Sequence, residues 1–179
     1  MAYSSGFNPH PRISYINPAP TGAESEAEYL VIGLRELCDP SDVRTRLDAA
    51  MPDGLPILEV TEAGDHHFDA SLWEVRLPLG DHDSLSHAVG IFLASPEAMV
   101  SRETKNGLRT FDAKSAVESL AITAPGTLTM VIRHTEPLVR PDDVISALHA
   151  IDPEIPISPL TKRLRQAPVA DLIAHPRNA

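Results

Sequence analysis

Arg140-Pro141-Asp142-Asp143-Val144, with Leu148 beyond it, reads as the start of a helix, and Asp39-Pro40-Ser41-Asp42-Val43, with Leu47, reads the same way. A proline at the first helical position gives up only a donor that the helix could not have used. Acids in the first turn meet the positive end of the helix dipole. Proline, aspartate, valine and leucine recur at equal offsets in the two stretches. Two readings of this echo are open: a duplicated α+β unit, or two helix starts that obey the same capping chemistry.

The segments around each helix have strand character. Tyr29-Leu30-Val31-Ile32-Gly33-Leu34 precedes the first helix, which carries Val43, Leu47, Ala50 and Met51 on one face, and Leu55 to Val60 follows it. In the second half, Leu72-Trp73-Glu74-Val75-Arg76-Leu77 alternates like a half-exposed strand. Asp83-Ser84 can cap a helix through Leu85, Ala88, Val89 and Phe92. Ala98 to Thr104 and Leu108 to Phe111 flank Lys105-Asn106-Gly107, a turn of hairpin chemistry. Glu118 to Thr123 and Thr127 to His134 lie across Pro125-Gly126, and the helix at Pro141 follows. Single helices set among strands predict an α+β protein of two modules. The first spans 1–63 and the second 70–152, with the polar Ala63-Gly64-Asp65-His66-His67 as linker. Residues 153–179 read as a proline-punctuated tail with a basic run at Lys162, Arg163 and Arg165.

Composition narrows the function. The 179 residues are 42% hydrophobic but only 4% aromatic, so the core must be aliphatic. A formal charge of −10 opposes whole-surface attraction to nucleic acid or anionic membrane and leaves room only for local basic patches. One cysteine, Cys38, excludes an internal disulfide, fits a reducing compartment, and is expected to be a buried structural thiol. No apolar run approaches a membrane span, and Met1 is not followed by a basic region and apolar core. A cytoplasmic protein without membrane partners is expected.

The least generic stretch is Gly6-Phe7-Asn8-Pro9-His10-Pro11-Arg12-Ile13-Ser14-Tyr15. Pro9 and Pro11 fix their own φ and push Asn8 and His10 out of the α region, so the segment is expected to run extended. Alternate side chains then share a face. Phe7, Pro9, Pro11, Ile13 and Tyr15 form an apolar stripe, backing a polar row of Asn8, His10, Arg12 and Ser14. This row is the first candidate site: His10 could act as acid or base and Arg12 could hold an anion. The plain alternative is a polar strand edge facing water.

Other chemistry is sparse. His66 and His67 are adjacent and His82 and His87 five apart, whereas a helix puts ligands on one face at three or four. Asp81 and Asp83 read as a solvated loop and helix cap. No Gly-x-Ser-x-Gly elbow or phosphate-binding glycine loop is present. Arg102, Lys105, Arg109 and Lys114 crowd the hairpin, diluted by Glu103 and Asp112. That is a local cluster of the kind phosphate contacts need, but a solvated surface explains it as well.

The block from Tyr3 to Tyr15, together with Pro18-Ala19-Pro20-Thr21-Gly22-Ala23-Glu24-Ser25-Glu26-Ala27-Glu28-Tyr29-Leu30, resembles the radical-SAM-linked domain family of unknown function. Its members are partners of, or C-terminal fusions to, B12-binding-type radical SAM proteins, often encoded near ribonuclease E/G and large-subunit ribosomal proteins. Lys105, Gly107, Arg109 and Asp112 resemble the family's basic turn before an aspartate. Val139-Arg140-Pro141-Asp142 is a weaker match. Ser5 stands where the family usually has Gln, and Val31-Ile32 where it has an acid. Family members also carry a strand and a helix ahead of the motif, and here Met1 falls just before it, which implies a shortened N-terminus. With those elements restored, the strand at 12–17, the strand at 29–35, the helix at 40–51 and the strand at 55–61 would complete a βαββαβ unit. The resemblance thus implies two ferredoxin-like modules with antiparallel sheets, the first lacking its initial strand and helix and exposing strand edges.

The function so implied is an accessory or substrate-binding domain for a radical SAM enzyme, acting on RNA or ribosomal components. Asn8, His10, Arg12 and Ser14 would contact substrate or partner, and Lys105, Arg109 and Asp112 would supply the second set of contacts. The chain lacks the cysteine triplet of an iron–sulfur cluster, so no cofactor is expected in it. The alternatives are a stand-alone RNA-binding module and a small enzyme using His10.

Overall fold

A computed structural model describes residues 1–64, 68–78, 83–105 and 107–175. Parts of the expected linker (Asp65, His66, His67), Asp81, His82 and Asn106 lie outside the described residues. The chain divides into two units: residues 1–18 with 28–66, and residues 19–27 with 67–179.

The first unit holds β1 (Ile13–Ile16), β3 (Tyr29–Ile32) and α1 (Pro40–Asp48). β1 and β3 pair antiparallel, with Tyr15 opposite Leu30. Asp39 caps α1 by accepting the Ser41 N–H at 2.8 Å. The Ser41 hydroxyl, which also donates to that carboxylate, is the main cause of its pKa falling below the usual aspartate value. The expected strand at 55–61 is not one: the Arg44 Nε–H donates to the Ile57 and Leu58 carbonyls, and the Ile57 N–H to Asp48 Oδ1. Side chains of α1 occupy backbone groups that a ladder would have used. A complete ferredoxin-like sheet is therefore not what the described residues of this unit make. None of them is buried. Cys38, expected inside, is exposed in the loop ahead of α1 for the same reason.

The second unit is built on a sheet of order β2-β9-β4-β8-β7. Its strands are β2 (Glu24–Ser25), β4 (Ala70–Arg76), β7 (Val117–Ala124), β8 (Thr127–Arg133) and β9 (Leu160–Ala167). β4 pairs antiparallel with both β8 and β9, and β7 with β8. α2 (Asp83–Ala94) follows β4, and α3 (Pro141–Ile151) follows β8. The path β4-α2-β7-β8-α3-β9, with its interleaved strand order, has the connectivity of a ferredoxin-like unit. A hairpin of β5 (Met99–Thr104) and β6 (Gly107–Asp112) is inserted after α2. β2 adds a short parallel edge beside β9.

Alternation along β4 sends Trp73 and Val75 into one core with Leu85, Phe92, Leu128, Met130, Ile145 and Leu148. Ala70 and Leu72 face a second core, closed by Leu172 of α4 (Val169–Ala174). The segment expected as a tail is thus structural: β9 lies inside the sheet, and Lys162, Arg163 and Arg165 are strand residues rather than a free basic patch. Lys162 pairs with Glu26, and Arg163 is 2% exposed. Among the described residues no helix is long and apolar enough to cross a membrane.

Candidate functional site

The polar row at the N-terminus does not run as one extended strip. Residues 5–8 bend, and the loop closes on itself. The Ser4 N–H donates to the His10 carbonyl at 2.8 Å, and the His10 N–H donates to Ser4 Oγ at 3.0 Å. Gly6, at φ +132°, makes the turn that a side chain would resist. Phe7 stands fully exposed beside Asn8. The extended reading failed because prolines restrict φ without preventing a reversal at the glycine before them.

Beyond the loop, the Arg12 N–H donates to the Ala2 carbonyl, and the Gly33 N–H to the Arg12 carbonyl at 2.8 Å. A Cβ on Gly33 would sit 2.9 Å from that of Arg12, so this approach requires glycine. Asn8, His10, Arg12 and Ser14 are all exposed. On β1 and β3, Ile13, Tyr15, Leu30 and Ile32 share one face through the strand register, and Ser14, Ile16, Tyr29 and Val31 share the other.

The hairpin candidates belong to the other unit and divide into two kinds. Lys105 and Arg109 are exposed. Asp112 is structural: its Oδ1 accepts the Ala98 N–H at 2.8 Å and the Lys114 N–H at 2.9 Å, fastening both ends of the hairpin. Asp112→Ala is expected to lose about 1.5–3 kcal/mol, the worth of bonds to a charged acceptor, read by urea unfolding; a loss near zero would return Asp112 to the surface set. Arg102 and Lys114 are also committed. Arg102 donates to Asp143 Oδ2 at 2.7 Å and lies 5.1 Å from the Phe111 ring centre. Lys114 donates to the Leu93 carbonyl and lies over Phe92.

A third group was not legible in the sequence. Three of the buried polar side chains, Ser71, Arg163 and Gln166, are 1%, 2% and 3% exposed. Ser71 is opposite Gln166, and Trp73 opposite Arg163, so all lie on one face of β4 and β9. His134 follows β8 and bonds Ser71 Oγ through Nε2 at 2.8 Å and the Phe68 carbonyl through Nδ1 at 2.7 Å. A carbonyl only accepts, so Nδ1 carries the proton and the Ser71 hydroxyl donates to Nε2. Burial is the main reason His134 holds its proton less readily than an ordinary imidazole, with Arg163 adding to the effect. The pair has the form of a nucleophile and its base, but Ser71 is closed to solvent, so no substrate reaches it. Gln166 donates from Nε2 to the Ala27 carbonyl at 2.7 Å, and its Oε1 is buried without a partner. Among the described residues no three metal-ligating side chains converge.

Residues 1–141 match the family model DUF2344, described as an uncharacterized protein conserved in bacteria. The chain belongs to the DUF2344 family. The DUF2344 match covers the loop, the hairpin and the sheet through β8, and stops at the first residue of α3. No curated protein and no solved structure matches the chain.

Proposed function

We propose that the chain is an accessory domain that binds a partner protein through its first unit, and that the partner is the radical SAM protein implied by the resemblance, in the cytoplasm. One observation carries this reading. The first unit buries none of its described side chains, yet presents Ile13, Tyr15 and Leu30 to solvent on one face of its sheet, with Phe7 exposed in the loop ahead of it. A two-stranded sheet does not hold itself together in water, and an exposed apolar patch flanked by polar groups is what a protein interface requires. Asn8, His10 and Arg12, exposed in the same unit, would supply its polar contacts. The net charge of −10 and the engagement of Arg102 and Lys114 favour protein over RNA, leaving Lys105 and Arg109 for any phosphate contact.

Capture of the tagged protein from its own cells, with and without ribonuclease, tests the proposal. A radical SAM protein retained after ribonuclease is the expected result. RNA or ribosomal proteins that vanish with ribonuclease would replace it with an RNA-binding module. Tyr15→Ser is expected to weaken the captured complex by about 2 kcal/mol, roughly thirtyfold in Kd, as an aromatic anchor does. Unchanged binding would remove this face from the interface. Repeating the capture on a chain extended by the strand and helix that the resemblance implies separates a partner from intramolecular cover: elements that cover the face would abolish capture.

A further inference from the structure

The two hydrogen bonds at the ends of the buried polar group fall at particular places in the chain. Ala27, whose carbonyl takes the Gln166 amide, is the last residue of the second unit before the chain passes into the first. Phe68, whose carbonyl takes the His134 Nδ1–H, is the first described residue after the chain returns to the second unit. Between them stand Ser71 and Gln166, opposite each other on neighbouring strands and facing the same way. With His134 neutral, every strong group of this row is used except Gln166 Oε1.

We propose that Ser71 and Gln166 form a relay that transmits proton uptake at His134 to the chain crossing at Ala27. A proton on Nε2 turns that atom from acceptor into donor, so it then donates to Ser71 Oγ. The displaced Ser71 hydroxyl hydrogen needs an acceptor, and the unfilled one across the strand is Gln166 Oε1. Drawing the Gln166 amide toward Ser71 pulls its Nε2 away from the Ala27 carbonyl, while the Nδ1–H to Phe68 persists. Protonation thus loosens one crossing and keeps the other. The groups facing the imidazole oppose each other: Arg163 on β9 resists the proton, and Asp69, just ahead of β4, favours it. The relay therefore operates on the acid side of an ordinary histidine, below about pH 6.5. This inference concerns the second unit and does not depend on what the first unit binds.

An NMR pH titration of the unmodified protein tests it. The His134 ring, the Gln166 side-chain amide and the Glu28 backbone N–H, which follows the Ala27 carbonyl in its peptide group, are expected to titrate with one shared midpoint. In Gln166→Met the Glu28 signal is expected to stop following His134, and the His134 midpoint to move to lower pH because the acceptor that completes the protonated row is gone. Gln166 and Glu28 signals that stay fixed while His134 titrates would overturn the relay. So would a His134 midpoint unchanged in Gln166→Met.

Discussion

A chain ended after Asp152 is expected to lose the fold of its second unit. β9 is an interior strand, flanked by β4 and β2. Its removal bares the backbone donors and acceptors along one edge of β4, an open template for aggregation. It also removes Ile155 from the main core and Leu172 from the smaller one, both fully buried. Emptying either site alone costs about 2–5 kcal/mol, and a domain has only about 5–15 kcal/mol in total. The chain's single tryptophan, Trp73, lies on β4 beneath Arg163, 5.5 Å from its guanidinium carbon, and reports the event directly. The full chain is expected to show a cooperative melt by Trp73 fluorescence and the shortened chain none. A cooperative transition in the shortened chain would mean that β9 only decorates the sheet.

The second large effect belongs to Asp143. Its Oδ2 accepts from Arg102 at 2.7 Å and from the Arg140 N–H at 2.7 Å, so one carboxylate joins the hairpin to α3 and caps that helix. Burial pushes its pKa above the usual aspartate range despite both bonds. The carboxylate is therefore tolerated because of its partners, and breaking such a pair costs more than the pair is worth. Asp143→Ala is expected to lose about 3–5 kcal/mol. Asp143→Asn retains an acceptor for the Arg140 N–H and loses less. Arg102→Met gives the sign test. It leaves the carboxylate buried without its cation, so its deficit is greatest at neutral pH. The deficit shrinks as acid protonates Asp143, because a group with a raised folded pKa gains relative stability as pH falls through that value. Urea unfolding at neutral pH and at about pH 4 checks it; a deficit that grows in acid would refute the account.

What could be read from the sequence divides along physical lines. α1 and α3 were legible because capping chemistry is local: Asp39, Pro40, Pro141 and Asp143 act within one turn. β4, β7 and β8 were legible because most of their buried positions are large and apolar, as at Leu72, Trp73, Leu120, Leu128 and Met130. The inserted hairpin showed itself at Gly107. β9 was not legible, because its core-facing residues include Arg163 and Gln166, whose burial depends on Ser25, Ala27 and Trp73 far away in sequence. Leu55 to Val60 misled in the opposite direction: apolar residues suggested a strand where side chains of α1 hold the backbone. At the candidate site, the residues of the N-terminal row were identifiable, but the closed loop that displays Phe7 was not. The role of Asp112 became visible only with the N–H groups of Ala98 and Lys114 in place.

The pairing of β2 with β9 also fixes an order of events during synthesis. Ser25 and Arg163 are bonded across 138 positions of chain. β2 is made well before β9 and waits for it as a partner. Closing so long a loop adds little to the cost of a shorter one, since that cost rises only logarithmically with length. The delay is therefore a matter of timing more than of stability. Residues 28–66 are an excursion from the second unit, and its two ends are both pinned to that unit only after β9 has entered the sheet. The pairing of β2 with β9, and the bond from Gln166 to the Ala27 carbonyl beside it, therefore wait for translation to reach β9.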